Sequence, residues 1–116
     1  FAQFDAGAVY TAGNGLTLST NDFNVGAGTG ISVAADSVSI DTAVVVRKYS
    51  TSIGDGSSTS IAVTHSLGTK DVQVQLRQNS DDAFVVADVV ATSTSQVTIT
   101  FATAPAASAI RATVFA

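Results

Sequence analysis

A fifteen-residue pattern, written twice in succession, constrains the fold of this chain more than any other feature. Gly-Leu-Thr-Leu at residues 15–18 returns as Gly-Ile-Ser-Val at 30–33, and Phe-Asn-Val at 23–25 returns as Val-Ser-Ile at 38–40. Glycine also recurs in the link before each copy, where a tight turn would need positive φ. The pattern predicts four turn glycines: Gly13, Gly15, Gly28 and Gly30.

Within each copy, apolar residues alternate with polar residues on both sides of a polar corner. In the first copy the corner is Ser-Thr-Asn-Asp at residues 19–22. A period of two predicts two short strands joined by a turn, and it argues against an amphipathic helix.

One copy has too few apolar residues to build its own core. Burying a large apolar side chain contributes about 1.5–3 kcal/mol, whereas ordering the backbone costs about 1–2 kcal/mol per residue. Cover must therefore come from neighbouring repeats and from identical chains around a symmetry axis. We expect eight residues to form the shared core: Leu16, Leu18, Phe23, Val25, Ile31, Val33, Val38 and Ile40.

The order Gly-Leu-x-Leu, four polar residues, Phe-x-Val and Gly-x-Gly-x-Gly resembles the shaft repeat of trimeric viral fibres. This repeat forms the triple β-spiral of adenovirus fibre and of the reovirus attachment protein, and the resemblance covers about residues 8–41. It implies a homotrimeric shaft with the eight apolar residues at a threefold core. The alternative is an ordinary meander of hairpins within one globular domain.

Composition favours an all-β chain with few classes of partner. All nine acidic residues are Asp, which suits turns better than helices, and Cys is absent. Only 12 % of residues are charged and the cations are scattered along the sequence, so we expect no nucleic-acid partner. The longest apolar run, at 83–90, is far shorter than the ~20 residues of a membrane helix, so we expect no membrane insertion.

The fifteen-residue period ends near residues 41–43, because Val45 stands where the next turn glycine would be. The sequence therefore predicts a shaft at residues 1–43 and a second module at 44–116. Turn signals and alternating runs in the second module predict a small antiparallel β-sandwich. The predicted strands lie at residues 60–64, 72–77, 84–90, 97–101 and 110–115.

The second module resembles a small β-sandwich found in many tailed-phage tail-fibre and other virion proteins. The resemblance rests on Ile-Gly-Asp-Gly at 53–56, the segment 63–72, Ala-Asp-Val-Val at 87–90 and the final Val-Thr-Ile-Thr-Phe with Ala-Pro-Ala. With the shaft, it implies a trimeric bacteriophage tail fibre or spike for host attachment, made in the host cytoplasm and located on the virion. Its partners would be other virion proteins and a host receptor or glycan. The alternatives are a capsid decoration protein or head fibre, a fibre-borne glycan-degrading enzyme and a bacterial adhesin stalk.

No group of residues has the pattern of an active site. His65 is the only histidine, and Ser66 would point away from it in a continuing strand, so a catalytic pair is not expected. Asp81 and Asp82 form a turn pair without a cleft, which does not suit glycoside hydrolysis. We expect no enzyme activity.

Metal and cofactor sites are not expected either. Asp36, Asp41 and Asp55 lack a calcium-loop pattern, and the Gly-x-Gly-x-Gly links precede strands where a phosphate loop would precede a helix. Because the sequence begins at Phe1 without a basic leader, we expect a processed chain or an excerpt. Residues 4–7, fifteen positions before the polar corner, are predicted to end a preceding degenerate copy.

Overall fold

The computed structural model describes residues 10–20 and 22–116. Over these residues the chain forms ten β-strands without a helix, and every strand pairing is antiparallel. The all-β prediction is confirmed there, whereas the predicted preceding copy at residues 4–7 lies outside the described residues. The chain divides into two compact units, Phe1–Val45 and Val46–Ala116. Their assignment as shaft and head remains a prediction.

Two hairpins with the same register form the first unit. In the first, β1 (Leu16–Ser19) pairs with β2 (Asp22–Val25), and in the second, β3 (Ile31–Ala34) pairs with β4 (Ser37–Ile40). Leu16 lies opposite Val25, and Ile31 lies opposite Ile40. The sequence period of fifteen residues is therefore also the structural period.

The predicted turn glycines divide into two kinds. Gly15 and Gly30 open the hairpins at φ 85° and 86°, a conformation that glycine adopts at little cost. Gly13 and Gly28 do not have positive φ, and their carbonyl groups accept hydrogen bonds from the N–H groups of Leu16 and Ile31. Glycine is thus required for backbone conformation only at the residue that directly precedes each first strand.

Two three-stranded sheets form the second unit. The first sheet has the order β5-β10-β7, and the second has the order β6-β9-β8. Their bounds are β5 Lys48–Ile53, β6 Ser60–Thr64, β7 Gln73–Gln78, β8 Asp88–Ser93, β9 Gln96–Thr100 and β10 Ile110–Phe115. Alternate residues of both sheets enter one core, in which Val97, Ile99, Ala112 and Val114 have no exposed surface. The sheets therefore cover each other as the two layers of a small sandwich.

The prediction of one strand at residues 84–90 is wrong, because this apolar run serves both sheets. Phe84 forms a bridge with Arg77, and the N–H of Val85 donates to the carbonyl of Leu76 at 3.0 Å, so the run begins beside β7. The chain then crosses to the second sheet, where β8 begins only at Asp88 and continues to Ser93. Periodicity alone could not locate this crossing.

The two ends of the second unit are tied together beside β5 and β10. The N–H of Arg47 donates to the carbonyl of Ala116 at 2.6 Å, and the N–H of Ala116 donates back to Arg47 at 3.1 Å. The Arg47 guanidinium also donates to the carbonyl of Leu67. Arg47 therefore belongs to the sandwich, although it precedes β5, the first strand of the second unit.

We predict that the fragment Val46–Ala116 folds alone as β structure, whereas a fragment of residues 49–116 is less stable. The shorter fragment lacks Arg47 and its three hydrogen bonds, each of which contributes about 1 kcal/mol. Circular dichroism and urea unfolding of both fragments measure the difference. If the longer fragment is unfolded while the full chain is folded, the second unit depends on the first and the prediction fails.

Candidate functional site

Each hairpin of the first unit has one apolar face and one polar face. In the first hairpin Leu16 pairs with Val25 and Leu18 pairs with Phe23, so these four side chains share a face. Ile31, Val33, Val38 and Ile40 occupy the same places in the second hairpin. The opposite faces carry hydroxyl and amide groups: Thr17, Asn24, Ser32 and Ser39. The register thus brings together the eight residues predicted to form the shared core.

These apolar faces are uncovered in the single chain. The exposed fraction of the eight side chains runs from 37 % for Leu18 and Val33 to 55 % for Val38, whereas the buried apolar residues of the second unit are at most 8 % exposed. A groove of about 490 Å³ has residues from both hairpins along its walls, including Phe23, Val25, Val33 and Val38. Asn24, Asp36 and Ser37 line the same groove, so its surface is mixed. Exposed apolar side chains repeated in two hairpins favour an interaction site. Whether three chains share it remains a prediction.

His65 lies in the core of the second unit and is held by its own turn. Its side chain is 3 % exposed, and Nδ1 accepts a hydrogen bond from the N–H of Leu67 at 3.1 Å. The neutral tautomer consistent with this bond carries its proton on Nε2, which has no hydrogen-bond partner in the described part of the chain. Ser66, the neighbouring hydroxyl, has a positive φ of 56° and is exposed. The imidazole therefore stabilises the turn after β6.

Asp55 organises the loop between β5 and β6. Its Oδ1 accepts hydrogen bonds from the N–H groups of Ser57 and Ser58, and its Oδ2 accepts one from the Ser58 hydroxyl. The bond from the Ser58 N–H contributes most, and together they lower the pKa of Asp55 to about 2. All three of these hydrogen bonds come from the loop that contains Asp55, so the carboxylate stabilises that loop.

Asp81 and Asp82 are also engaged within their turn. Oδ1 of Asp81 accepts a hydrogen bond from the N–H of Ala83 at 3.0 Å. Asp82 forms an ion pair with Arg111, and the hydrogen bond from that guanidinium is the main reason that the pKa of Asp82 is lowered. The Asp81 carboxylate thus stabilises the turn, and the Asp82 carboxylate pairs with Arg111 of β10.

Among residues 10–20 and 22–116, no three histidine or aspartate side chains come together as a metal-binding group. Within the same residues, no helix is long and apolar enough to cross a membrane. Asp41, one of the candidates considered above, accepts a hydrogen bond from the N–H of Ala43 through Oδ1 at 3.0 Å. The expectation of no metal and no cofactor stays a prediction.

Sequence reasoning missed a cluster of cations on the first sheet of the second unit. Arg77 and Arg111 lie directly opposite each other on β7 and β10, and Lys48 lies opposite Phe115 four residue pairs further along the same face of the sheet. The alternation within each strand predicts which side chains face outward. It does not predict which strands are neighbours, and so it could not place these cations together.

Comparisons of the chain with models of protein families, with curated proteins and with solved structures found no match.

We predict that His65→Ala lowers the stability of the second unit by about 1–3 kcal/mol, because the buried N–H of Leu67 loses its acceptor. Urea unfolding at neutral pH measures this loss. Ser60→Ala is the control and should change little, because it removes an exposed hydroxyl of β6 that makes no hydrogen bond among the described residues. An unchanged unfolding midpoint for His65→Ala would show that the ring does not stabilise the turn.

We predict that Asp55→Asn destabilises the second unit near neutral pH but not near pH 2. The pKa of Asp55 falls from 3.8 to about 2 on folding, so its contribution is fully present above pH 3.8 and is lost as the pH falls to about 2. Urea unfolding of parent and variant at both ends of this window measures the difference. Asp71→Asn is the control, since no hydrogen bond to the Asp71 carboxylate occurs among the described residues. A difference independent of pH would contradict the prediction.

Proposed function

We propose that this chain is a non-enzymatic structural protein of a tailed-bacteriophage virion, a homotrimeric fibre or spike used in host attachment. The observation that carries the proposal is the repeated apolar face of the first unit, which the single chain leaves uncovered. Two hairpins with one register present the same surface twice. Such a surface suits an elongated assembly in which each repeat makes the same contacts as the last.

Identical chains are the cover that best fits these faces. The second unit has a complete core of its own, to which both sheets contribute, although Phe84, Val86 and Val90 remain exposed. Further copies of the chain present matching faces, and rotational symmetry lets each copy cover the next in a closed ring. The number of chains and the virion location come from the resemblance of the repeat to trimeric viral shafts and of the second module to phage tail-fibre modules.

A structural role is also consistent with how the polar groups of the second unit are used. Nδ1 of His65 accepts a bond from its own turn, and the carboxylates of Asp55 and Asp82 are held by loop groups and by Arg111. A nucleophile or general base needs a partner that activates it for reaction with a substrate. These contacts give each group a structural task instead.

We predict that Val33→Asp prevents assembly of the full chain. The substitution would place one unpaired carboxylate per chain at the shared core, at a cost of several kcal/mol or with forced protonation. Ser32→Asp is the matched control, because it adds the same charge one residue away on the opposite face of β3. Light scattering of the parent and both variants at micromolar concentration measures the mass in solution.

The expected result is a trimer for the parent and for Ser32→Asp, and a smaller species for Val33→Asp. A monomeric parent, or a Val33→Asp variant that remains trimeric, would overturn the assembly and favour the hairpin meander. Gold labelling of this chain on intact particles distinguishes a tail fibre from a capsid decoration protein or head fibre, since the same apolar faces could serve either location.

A further inference from the structure

The outer edge of β7, on the side away from β10, is paired over only part of its length. The N–H of Gln78 donates to the carbonyl of Ala83 at 2.8 Å, and the N–H of Val85 donates to the carbonyl of Leu76 at 3.0 Å. A short segment of the chain thus runs antiparallel beside the end of β7. The chain then leaves this edge and crosses to β8 in the second sheet.

The beginning of the same edge has an unpaired backbone. The hydrogen-bonding side of a β-strand alternates from residue to residue. The backbone groups of Leu76 and Gln78 point away from β10, so those of Val74 do as well. Within residues 10–20 and 22–116, no backbone hydrogen bond reaches Val74 on this side. Val74 therefore has a donor and an acceptor available for a further main chain.

A groove of about 310 Å³ lies against this part of β7, and none of its lining residues is charged: Gln73, Val74, Gln75, Leu76, Phe84, Val85 and Phe115. The Phe84 side chain is 67 % exposed. Arg77 is not among the lining residues, but its guanidinium lies 4.1 Å from the centroid of the Phe84 ring. This cation–π contact holds one wall of the groove in place before anything binds.

We propose that this groove binds an extended segment of a partner polypeptide, which adds to β7 as a further strand. The occupant is a polypeptide because the unpaired groups of Val74 are those that a main chain matches. Residues 83–85 already occupy the same strand position further along β7, so the edge accepts a main chain there. In an antiparallel arrangement, Val74 and the residue opposite it exchange two hydrogen bonds.

The two faces of the sheet define which side chains the segment needs. The residue opposite Val74 points inward, where Val74 and Val85 pack against the sandwich core, so an apolar β-branched residue suits this position. Its two neighbours point outward, beside Gln73, Gln75 and the ring of Phe84, so polar side chains suit them. The partner segment is therefore a short strand in the order polar, apolar, polar.

The test is titration of the ¹⁵N-labelled full chain with the synthetic peptide Thr-Thr-Val-Thr-Thr, which has blocked ends and one apolar residue. We expect the amide signals of Val74 and Gln75 to shift. N-methylation of the peptide valine removes the N–H that donates to Val74, so it should weaken binding by about fivefold or more, as expected when a hydrogen bond is lost. N-methylation of the following threonine is the matched control, because that N–H points away from β7, and it should leave binding unchanged.

Phe84→Ala should also weaken peptide binding, because it removes a wall of the groove. Val86→Ala is the matched control for this variant. It removes apolar surface that is 97 % exposed from the same segment, but it does not line the groove. Because no lining residue is charged, the affinity should change little between about 0.1 and 1 M salt, over which the Debye length falls from about 10 to 3 Å.

Four results would overturn the proposal. They are the absence of shifts at millimolar peptide, equal binding of the two N-methylated peptides, shifts along β5 or β6 instead of β7, and a strong loss of affinity in salt. A Val74 amide signal that moves with protein concentration in the absence of peptide would identify a second copy of the chain as the occupant and would overturn it as well. The inference does not depend on the proposed assembly, because the edge and the groove belong to the second unit of one chain.

Discussion

The structure depends on where apolar side chains can be covered. In a two-stranded hairpin every side chain of one face points the same way, so Leu16, Leu18, Phe23 and Val25 cannot bury one another against a second layer. The second unit buries its apolar side chains within one chain, because its two sheets face each other. Val97, Ile99 and Val114 therefore have no surface exposed to solvent. The two units thus show the same alternating pattern with opposite outcomes, and the difference is the presence of a second layer.

That difference also separates what the two units can do. A sandwich with a complete core is free to use its outward faces, and the outward face of β5, β10 and β7 holds its hydroxyl, amide and guanidinium groups in a fixed array. The apolar face of each hairpin repeat is exposed in the single chain, so it is available for the proposed assembly. The proposed assembly therefore concerns the first unit, whereas the core of the second unit is complete within one chain.

The sequence predicted the repeat well because its information is local. Hairpin strands, the polar corner and the glycines at positions 15 and 30 all follow from residues within one fifteen-residue copy. The failures are non-local. The run at residues 84–90 looks like one strand, but it begins beside β7 and continues as β8 in the other sheet. Lys48, Arg77 and Arg111 look scattered until the strand order β5-β10-β7 places them on one face. Both the crossing of this run and the grouping of the cations depend on which distant strands pair. Alternation along the sequence does not show which strands pair.

The end of the repeat is itself a structural feature. In the link after the first copy, glycine stands at positions 26, 28 and 30; at the same places after the second copy the chain has Asp41, Ala43 and Val45. Gly30 opens a hairpin at φ 86°, a conformation that a β-branched residue adopts only under strain, so Val45 cannot open a third one in that way. Asp41 instead accepts the N–H of Ala43 through its side chain and the N–H of Val45 through its carbonyl. The Val45 side chain then lies so close to Gly30 that a Cβ there would be 2.9 Å from Val45 Cγ2. Where Asp41, Ala43 and Val45 stand in place of the link glycines, the series of hairpins therefore ends. The turn at residues 41–45 then packs against Gly30, which opens the second hairpin.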